Sequence, residues 1–272
     1  MVALISVLSG LESLSLVFQF PQSRPDWQSR SLPPPKRFIL PALHTFYFEG
    51  VSEYLEELVT SIDTPQLDRM HIIFFNQIDF DCPRLAQFIN RAPKLRTPAE
   101  AHVEFHDSTV SATLRCWTPE FSFYELMVNI PISYEEPDRQ LSSIQRVCNS
   151  ILPPLSTVQD LYIERAYSQL VWKNDAIENT LWLQLFLPFT AVKNLYLSKE
   201  LAPGIATALQ ELVGSRITEV LPSLQIIFVE GLEPTGPFQE NIGRLVAARQ
   251  LSDSPIAVSD WNRYLSKTPM SS

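Results

Sequence analysis

Glycine is scarce in this chain. It has 7 glycines in 272 residues, where average usage of about 7% would supply roughly 19. They stand at 10, 50, 204, 214, 231, 236 and 243, and no GxGxxG, GxxxxGK[ST] or GxSxG pattern can be written from them. Dinucleotide binding, P-loop phosphate binding and the serine nucleophile elbow therefore lose the turns they need. Cysteine is scarcer still. Cys82, Cys116 and Cys148 are odd in number and far apart, which is no disulfide framework, and no CxxC or Cys/His spacing suggests zinc. Reduced, semi-buried thiols in the cytoplasm or nucleus are expected. The sequence has no Asn-x-Ser/Thr acceptor and no apolar run near the roughly 18 residues that a membrane helix needs. Basic residues are also outnumbered, 21 Lys and Arg against 30 Asp and Glu, for a net charge of −9. That balance opposes broad nucleic-acid binding and adsorption onto anionic membranes.

What is present is a recurring apolar spacing: an apolar residue, two variable residues, a second apolar residue, one variable residue, then a third. It reads Leu11/Leu14/Leu16, Leu43/Phe46/Phe48, Leu67/Met70/Ile72, Pro98/Ala101/Val103, Phe123/Leu126/Val128, Val158/Leu161/Ile163, Val192/Leu195/Leu197 and Leu224/Ile227/Val229. This is the strand signature of a leucine-rich repeat, with the last two apolar side chains on one face of a short strand. Successive blocks begin at 11, 43, 67, 98, 123, 158, 192 and 224, so they are 32, 24, 31, 25, 35, 34 and 32 residues apart. Those intervals leave room for helices or loops between strands.

Several of the connecting arms read as helices. Val51, Tyr54, Leu55, Leu58, Val59 and Ile62 share one face, opposite Glu53, Glu56 and Glu57. Leu85, Phe88 and Ile89 repeat the pattern before Pro93. Leu141, Ile144, Val147, Cys148 and Ile151 form a third face, closed by Pro153 and Pro154. Ile205, Leu209, Leu212 and Val213 form a fourth, with Gly214 as its stop. Phe238, Ile242, Leu245 and Val246 form a fifth. Strict alternation of strand and helix implies α/β architecture with a parallel sheet inside and helices and loops outside. The expectation is one curved, leucine-rich-repeat-like solenoid over residues 1–272, with about eight repeats.

Two stretches break the rhythm. Residues 21–41 hold Pro21, Pro25, Pro33, Pro34, Pro35 and Pro41 among basic residues, and read as an exposed loop insertion. Val110, Ala112 and Leu114 alternate after the least regular block, so a hairpin-like excursion is expected there. Ile256 to Val258 is one more short apolar segment, and 259–272 reads as a polar tail. At the other end, Leu4, Val7 and Leu8 read as one face of a helix feeding the first strand, with no basic region of a signal peptide before them. The sequence thus starts inside the repeat pattern.

The chain resembles the fungal F-box and leucine-rich-repeat-like proteins that are numerous in basidiomycetes. The likeness lies in Leu40-Pro41-Ala42-Leu43 with Phe46 and Phe48, Gly50-Val51-Ser52-Glu53-Tyr54-Leu55, and Phe74-Phe75-Asn76-Gln77. It continues in Pro188-Phe189-Thr190-Ala191-Val192-Lys193, Ala208-Leu209-Gln210-Glu211-Leu212-Val213 and Ala247-Ala248-Arg249-Gln250-Leu251. In such proteins an F-box docks onto the adaptor of a cullin-type ubiquitin ligase and the repeats select the substrate. The resemblance implies substrate or partner binding here. Binding to the ligase adaptor is not expected, since no F-box precedes the repeats in this sequence. A truncated or purely structural fragment, and behind it an uncharacterised enzyme, are the alternatives.

Side-chain chemistry narrows the expectation. His102, Glu104 and His106 alternate beside Asp107, a set that can ligate a metal, but the stretch reads instead as a solvated strand face. Glu135/Glu136 and Asp79/Asp81 read as surface charge. No catalytic residue, metal or cofactor is expected. The sharper signal is the variable residue between the last two apolar positions of each block, which belongs on the open face of the sheet. In order these are Ser15, Tyr47, His71, His102, Met127, Tyr162, Tyr196 and Phe228. The residue after each block follows on the same side: Val17, Glu49, Ile73, Glu104, Asn129, Glu164, Ser198 and Glu230. Aromatic anchors edged by Glu49, Glu104, Glu164 and Glu230 suit a protein partner that carries Lys or Arg.

Overall fold

The computed structural model describes residues 10–18, 37–75, 82–117, 123–132, 136–152, 155–166, 178–212, 216–233, 235–252 and 254–262. The Leu4/Val7/Leu8 helix face, residues 21–36 of the proline-rich loop, Asn76-Gln77, Asp79/Asp81, Glu135, Pro153/Pro154, Val213/Gly214 and residues 263–272 lie outside the described residues.

The strands are β1 (Ser13–Val17), β2 (Phe38–Ile39), β3 (Thr45–Gly50), β4 (Ile62–Asp63), β5 (Arg69–Phe74), β6 (Glu100–Phe105), β7 (Thr109–Trp117), β8 (Phe123–Pro131), β9 (Asp160–Arg165), β10 (Asn194–Leu197), β11 (Ile226–Glu230) and β12 (Ala257–Trp261). The helices are α1 (Ser52–Ser61), α2 (Pro83–Arg91), α3 (Pro137–Ser150), α4 (Asn179–Phe186), α5 (Ala202–Leu209) and α6 (Pro237–Leu251). Prolines open α2, α3, α5 and α6 in their first two positions, where the missing N–H costs no hydrogen bond and the fixed φ suits the helix. Among the described residues no helix is long and apolar enough to cross a membrane.

Ten strands form one sheet in the order β1-β3-β5-β8-β7-β6-β9-β10-β11-β12, and β2 pairs with β4 in a separate two-stranded ladder. The architecture is mixed α/β, with a large, mostly parallel, open sheet. Only β7 runs antiparallel, to both β6 and β8. Each expected strand block supplies a strand, and the apolar pairs share common register lines: Leu14, Phe46, Met70 and Leu126 align on one side of β7, and Ala101, Leu161, Leu195 and Ile227 on the other. Because side chains alternate along a strand, this register sends the apolar pairs to one face. There they join the buried residues of all six helices in one continuous core.

Backbone bonds ahead of the strands repeat in the same way. The amides of His44, Asp68 and Glu125 donate to the carbonyls of Glu12, His44 and Asp68 at 2.8, 3.0 and 2.9 Å. Those of Gln159, Lys193, Gln225 and Ala257 donate to Ala99, Gln159, Lys193 and Gln225 at 2.9, 2.8, 2.8 and 2.8 Å. Side-chain bonds span neighbouring units at similar separations: Asn194 to Asp160 and Asn241 to Thr207, each 34 residues apart, and Ser223 to Thr190, 33 apart.

The structure corrects the strict strand–helix alternation at one place. The chain leaves β5, passes α2, and lays β6 three positions away; β7 and β8 then fold back into the two-strand gap, so β8 pairs with β5 and β6 with β9. The blocks at Pro98 and Phe123 are therefore not spatial neighbours, and among the described residues no helix lies between them. The alternation in β7 explains the excursion: Ala112 and Leu114 face the core, and Ser111, Thr113 and Arg115 face the other way. The proline-rich loop gives way to structure earlier than 41, since β2 is formed by Phe38–Ile39 and Leu40 is buried. The polar tail starts later than 259, because Ser259–Trp261 complete β12 and Trp261 is buried. Helix α4 occupies the arm before Val192 and buries Trp182, Leu183, Leu185 and Phe186. The three cysteines are free and buried, not semi-buried.

Candidate functional site: an aromatic row on the open face

The face away from the helices carries the variable positions. In spatial order they are Ser15, Tyr47, His71, Met127, Thr113, His102, Tyr162, Tyr196, Phe228 and Ser259, each paired in register with the next. Parallel strands in register stand about 4.8 Å apart, so aromatic side chains at equivalent positions meet ring on ring.

The row has two halves, because β7 contributes the small Thr113 between Met127 and His102. In the β3–β8 half, Tyr47 meets His71 edge-on, with ring centroids 5.1 Å apart. The Tyr47 hydroxyl donates to Glu49 Oε2 at 2.9 Å, and the Asn129 amide nitrogen lies 2.9 Å from His71 Nε2. Burial pulls the His71 pKa below its ordinary 6.5 despite nearby Glu125 and Glu49, which suits a neutral ring accepting from Asn129. Burial and the bond to Glu49 push the Tyr47 phenol up.

In the β6–β12 half, four rings stack. His102 lies on Tyr162 at 4.2 Å and 2°, Tyr162 on Tyr196 at 4.2 Å and 8°, and Tyr196 on Phe228 at 4.7 Å and 7°. Trp261 of β12 closes over them, 5.9 Å from Tyr162 and 5.4 Å from Tyr196. The stack covers both ring faces of Tyr162 and Tyr196, which leaves their ring edges and phenol hydroxyls. Burial raises both phenols, and the carboxylates of Glu100 and Asp160 raise them further.

His102 sits in a charged cluster. Its Nδ1 is 3.6 Å from Glu164 Oε2, its Nε2 is 3.7 Å from Glu100 Oε2, and Arg115 Nη1 approaches Nε2 at 3.2 Å. Burial alone would lower the His102 pKa, but the bonds to Glu100 and Glu164 outweigh it and the nearby Arg115, and the net shift is upward. His102 thus departs from the solvated-face expectation, its side chain 13% exposed beside a Glu164 that is 1% exposed, whereas Glu104, His106 and Asp107 keep substantial exposure. Glu104 pairs with His106 at 3.5 Å at the end of the strand. Among the described residues no group of three or more His, Cys, Asp or Glu is placed to hold a metal.

The structure brings His102, Tyr162, Tyr196, Phe228 and Glu164 together, and Tyr47, Glu49, His71 and Met127 apart from them. Glu104 and Glu230 lie on the same face, two residues beyond the row. Ser198 is buried, and its Oγ accepts from the Arg165 amide at 3.2 Å. Sequence reasoning missed Trp261, Arg115, Glu100 and Asp160. The last two lie two residues ahead of the row, so the strand period carried their signal; Trp261 is two residues after Ser259.

No family model, no curated protein and no solved structure matches the chain.

Proposed function

We propose that the chain is a curved, leucine-rich-repeat-like solenoid that recognises a protein partner, as the substrate-selecting repeats of an F-box-like protein do, in the cytoplasm or nucleus. The observation that carries this is the register: ten strands place one variable position each on a common line, and seven of the ten are His, Tyr, Phe or Met, on the face opposite the helices. Recognition surfaces draw on such aromatic side chains, and a row built from equivalent positions can be varied without disturbing the core.

A purely structural role for the row is the competing account, favoured by the consumption of the ring faces in the stack. The Tyr162→Ala/Tyr196→Ala double variant separates the two. Recognition predicts that partners retained by the wild-type chain in affinity purification are lost by at least ten-fold, while the variant still melts cooperatively. Retention of the same partners at full strength by a folded variant overturns the proposal.

A further inference from the structure

We propose that His102 is a proton-operated switch at the seam between the inserted strands and the repeats on β9–β12, one that gives Arg115 a ring acceptor in one state and releases it in the other. The switch does not depend on the recognition role above. It belongs to the joint between the two halves of the open face.

β7 is the antiparallel strand that parts the sheet into those halves, and β6 lies between it and β9. His102 stands in register with Thr113 on one side and Tyr162 on the other. Thr113 is small, so Arg115, two residues further along the same face, reaches the imidazole diagonally. Among the described residues the charged or titratable groups that face His102 are Glu100 and Glu104 along β6, Arg115 on β7, and Asp160, Tyr162 and Glu164 on β9. Glu104 is turned to His106 at 3.5 Å, and Asp160 accepts from Asn194 at 2.8 Å. Glu125 of β8 joins the cluster through Arg115, whose Nε donates to it at 3.3 Å.

The two ring nitrogens meet different neighbours. Nδ1 faces Glu164 Oε2 at 3.6 Å, an acceptor for its N–H whether the ring is neutral or charged. Nε2 has two neighbours, and they make opposite demands. Arg115 Nη1, at 3.2 Å, is a donor that needs a bare lone pair there. Glu100 Oε2, at 3.7 Å, is an acceptor that needs a proton there. One nitrogen cannot serve both at once. With the ring neutral, Nδ1–H points to Glu164 and Arg115 bridges His102 and Glu125, tying β6, β7 and β8 together. When Nε2 takes a proton from solvent, its N–H turns to Glu100 and the like charge expels Nη1. Arg115 then keeps Glu125 and shares Glu100, which stands opposite it in register.

The imidazole also lies flat on Tyr162, with centroids 4.2 Å apart. The protonated ring is therefore a cation over a phenol face, and the switch acts on the first member of the stack. Burial lowers the His102 pKa, Glu100 and Glu164 raise it, and Arg115 lowers it again, for a net rise above 6.5.

The test is an NMR titration of the isotopically labelled full chain that follows the His102 ring nitrogens and the Arg115 guanidinium protons. As pH rises, Nε2 should lose its proton while Nδ1 keeps its own, and the Arg115 Nη protons should become protected from exchange with the same midpoint. Removing the donor and the acceptor should move that midpoint in opposite directions. Arg115→Met should raise it and Glu100→Gln lower it, each by at least about half a pH unit, roughly a three-fold change in proton affinity. Should either variant fail to fold, the coincidence of the two midpoints in the wild type decides alone. Loss of the Nδ1 proton first, Arg115 protection that ignores the His102 midpoint, or a variant whose midpoint stays put or moves the other way would overturn the switch.

Discussion

Glu164 on β9 lies buried against His102 on β6, carboxylate oxygen to Nδ1 at 3.6 Å, on the sheet face away from the core. A carboxylate that has left water is stable only beside compensating charge, so the protonation of His102 and the stability of the fold are coupled. The folded-state pKa of His102 is raised above the ordinary 6.5. Its contribution is therefore fully present below pH 6.5 and lost as pH rises through the raised value. The melting temperature should fall over that interval, and His102→Gln should abolish the fall. Glu164→Ala should cost about 3 kcal/mol at pH 6 by removing one partner of a buried pair, read by urea unfolding. A pH-independent melting temperature in the wild type would refute the coupling.

His71 predicts the opposite slope. Its pKa is lowered by burial, so the unfolded chain takes up a proton that the folded chain resists, and stability is lost as pH falls below 6.5. NMR titration should show the His71 ring protonating below 6.5 and the His102 ring above it. Asn129→Ala removes the 2.9 Å contact to His71 Nε2 and should move the His71 midpoint toward 6.5.

The alternation of the strand blocks was enough to assign both faces of the sheet, because a period of two leaves no freedom once Phe46 and Phe48 are buried. Helix faces were equally legible where charge marks the outer side, as at Glu53, Glu56 and Glu57. Helix α4 was not, because Leu181-Trp182-Leu183-Gln184-Leu185-Phe186-Leu187 is apolar on nearly every side and shows no stripe. The position of β7 was invisible for another reason. A strand with Ala112 and Leu114 inward satisfies the same register wherever it pairs, and only the tertiary fold places it between β6 and β8. That insertion brings Arg115 to His102 and makes the acidic cluster buried, so the burial of Glu164 was out of reach of the sequence as well.

The thiols give a direct check on packing. Burial pushes Cys116 up to about 11 and Cys148 up to about 12, and Cys82 is 1% exposed. A thiol attacks as its thiolate. The native chain at pH 8 should therefore show no rapid reaction with Ellman's reagent, and three thiols should react once the chain is unfolded in guanidinium. A fast-reacting thiol in the native chain would contradict the burial.

Arg249, 1% exposed in α6, donates to the carbonyls of Val220 and Leu221 at 3.1 Å and of Pro222 at 3.3 Å. It thereby holds the turn where Leu221 adopts a positive φ of 47°, a conformation that costs a non-glycine residue about 1–2 kcal/mol. Arg249→Met keeps much of the volume but leaves buried carbonyls without their donor, at roughly 1–3 kcal/mol. Chemical denaturation should show a loss of that size, and Arg249→Lys should recover only part of it, since one ammonium cannot match the guanidinium fork. Full rescue by lysine would mean that charge alone holds the turn.

Gln140 is wholly buried in α3, and its amide nitrogen donates to the carbonyls of His106 at 3.0 Å and Ile132 at 2.7 Å. Those carbonyls lie at the β6–β7 turn and just after β8, so one side chain pins both ends of the inserted strands to the helix that follows them. Gln140→Leu should cost roughly 1–3 kcal/mol through the carbonyls it strands. The loss should be local first. In hydrogen exchange the amide of His106, which bonds to Thr109 across the turn at 2.8 Å, should lose protection, while that of Ser198, bonded to Ile163 at 3.1 Å, should hold. Equal loss at both sites would mean that the insertion unfolds only with the whole sheet, and that Gln140 supports global packing without fastening the meander.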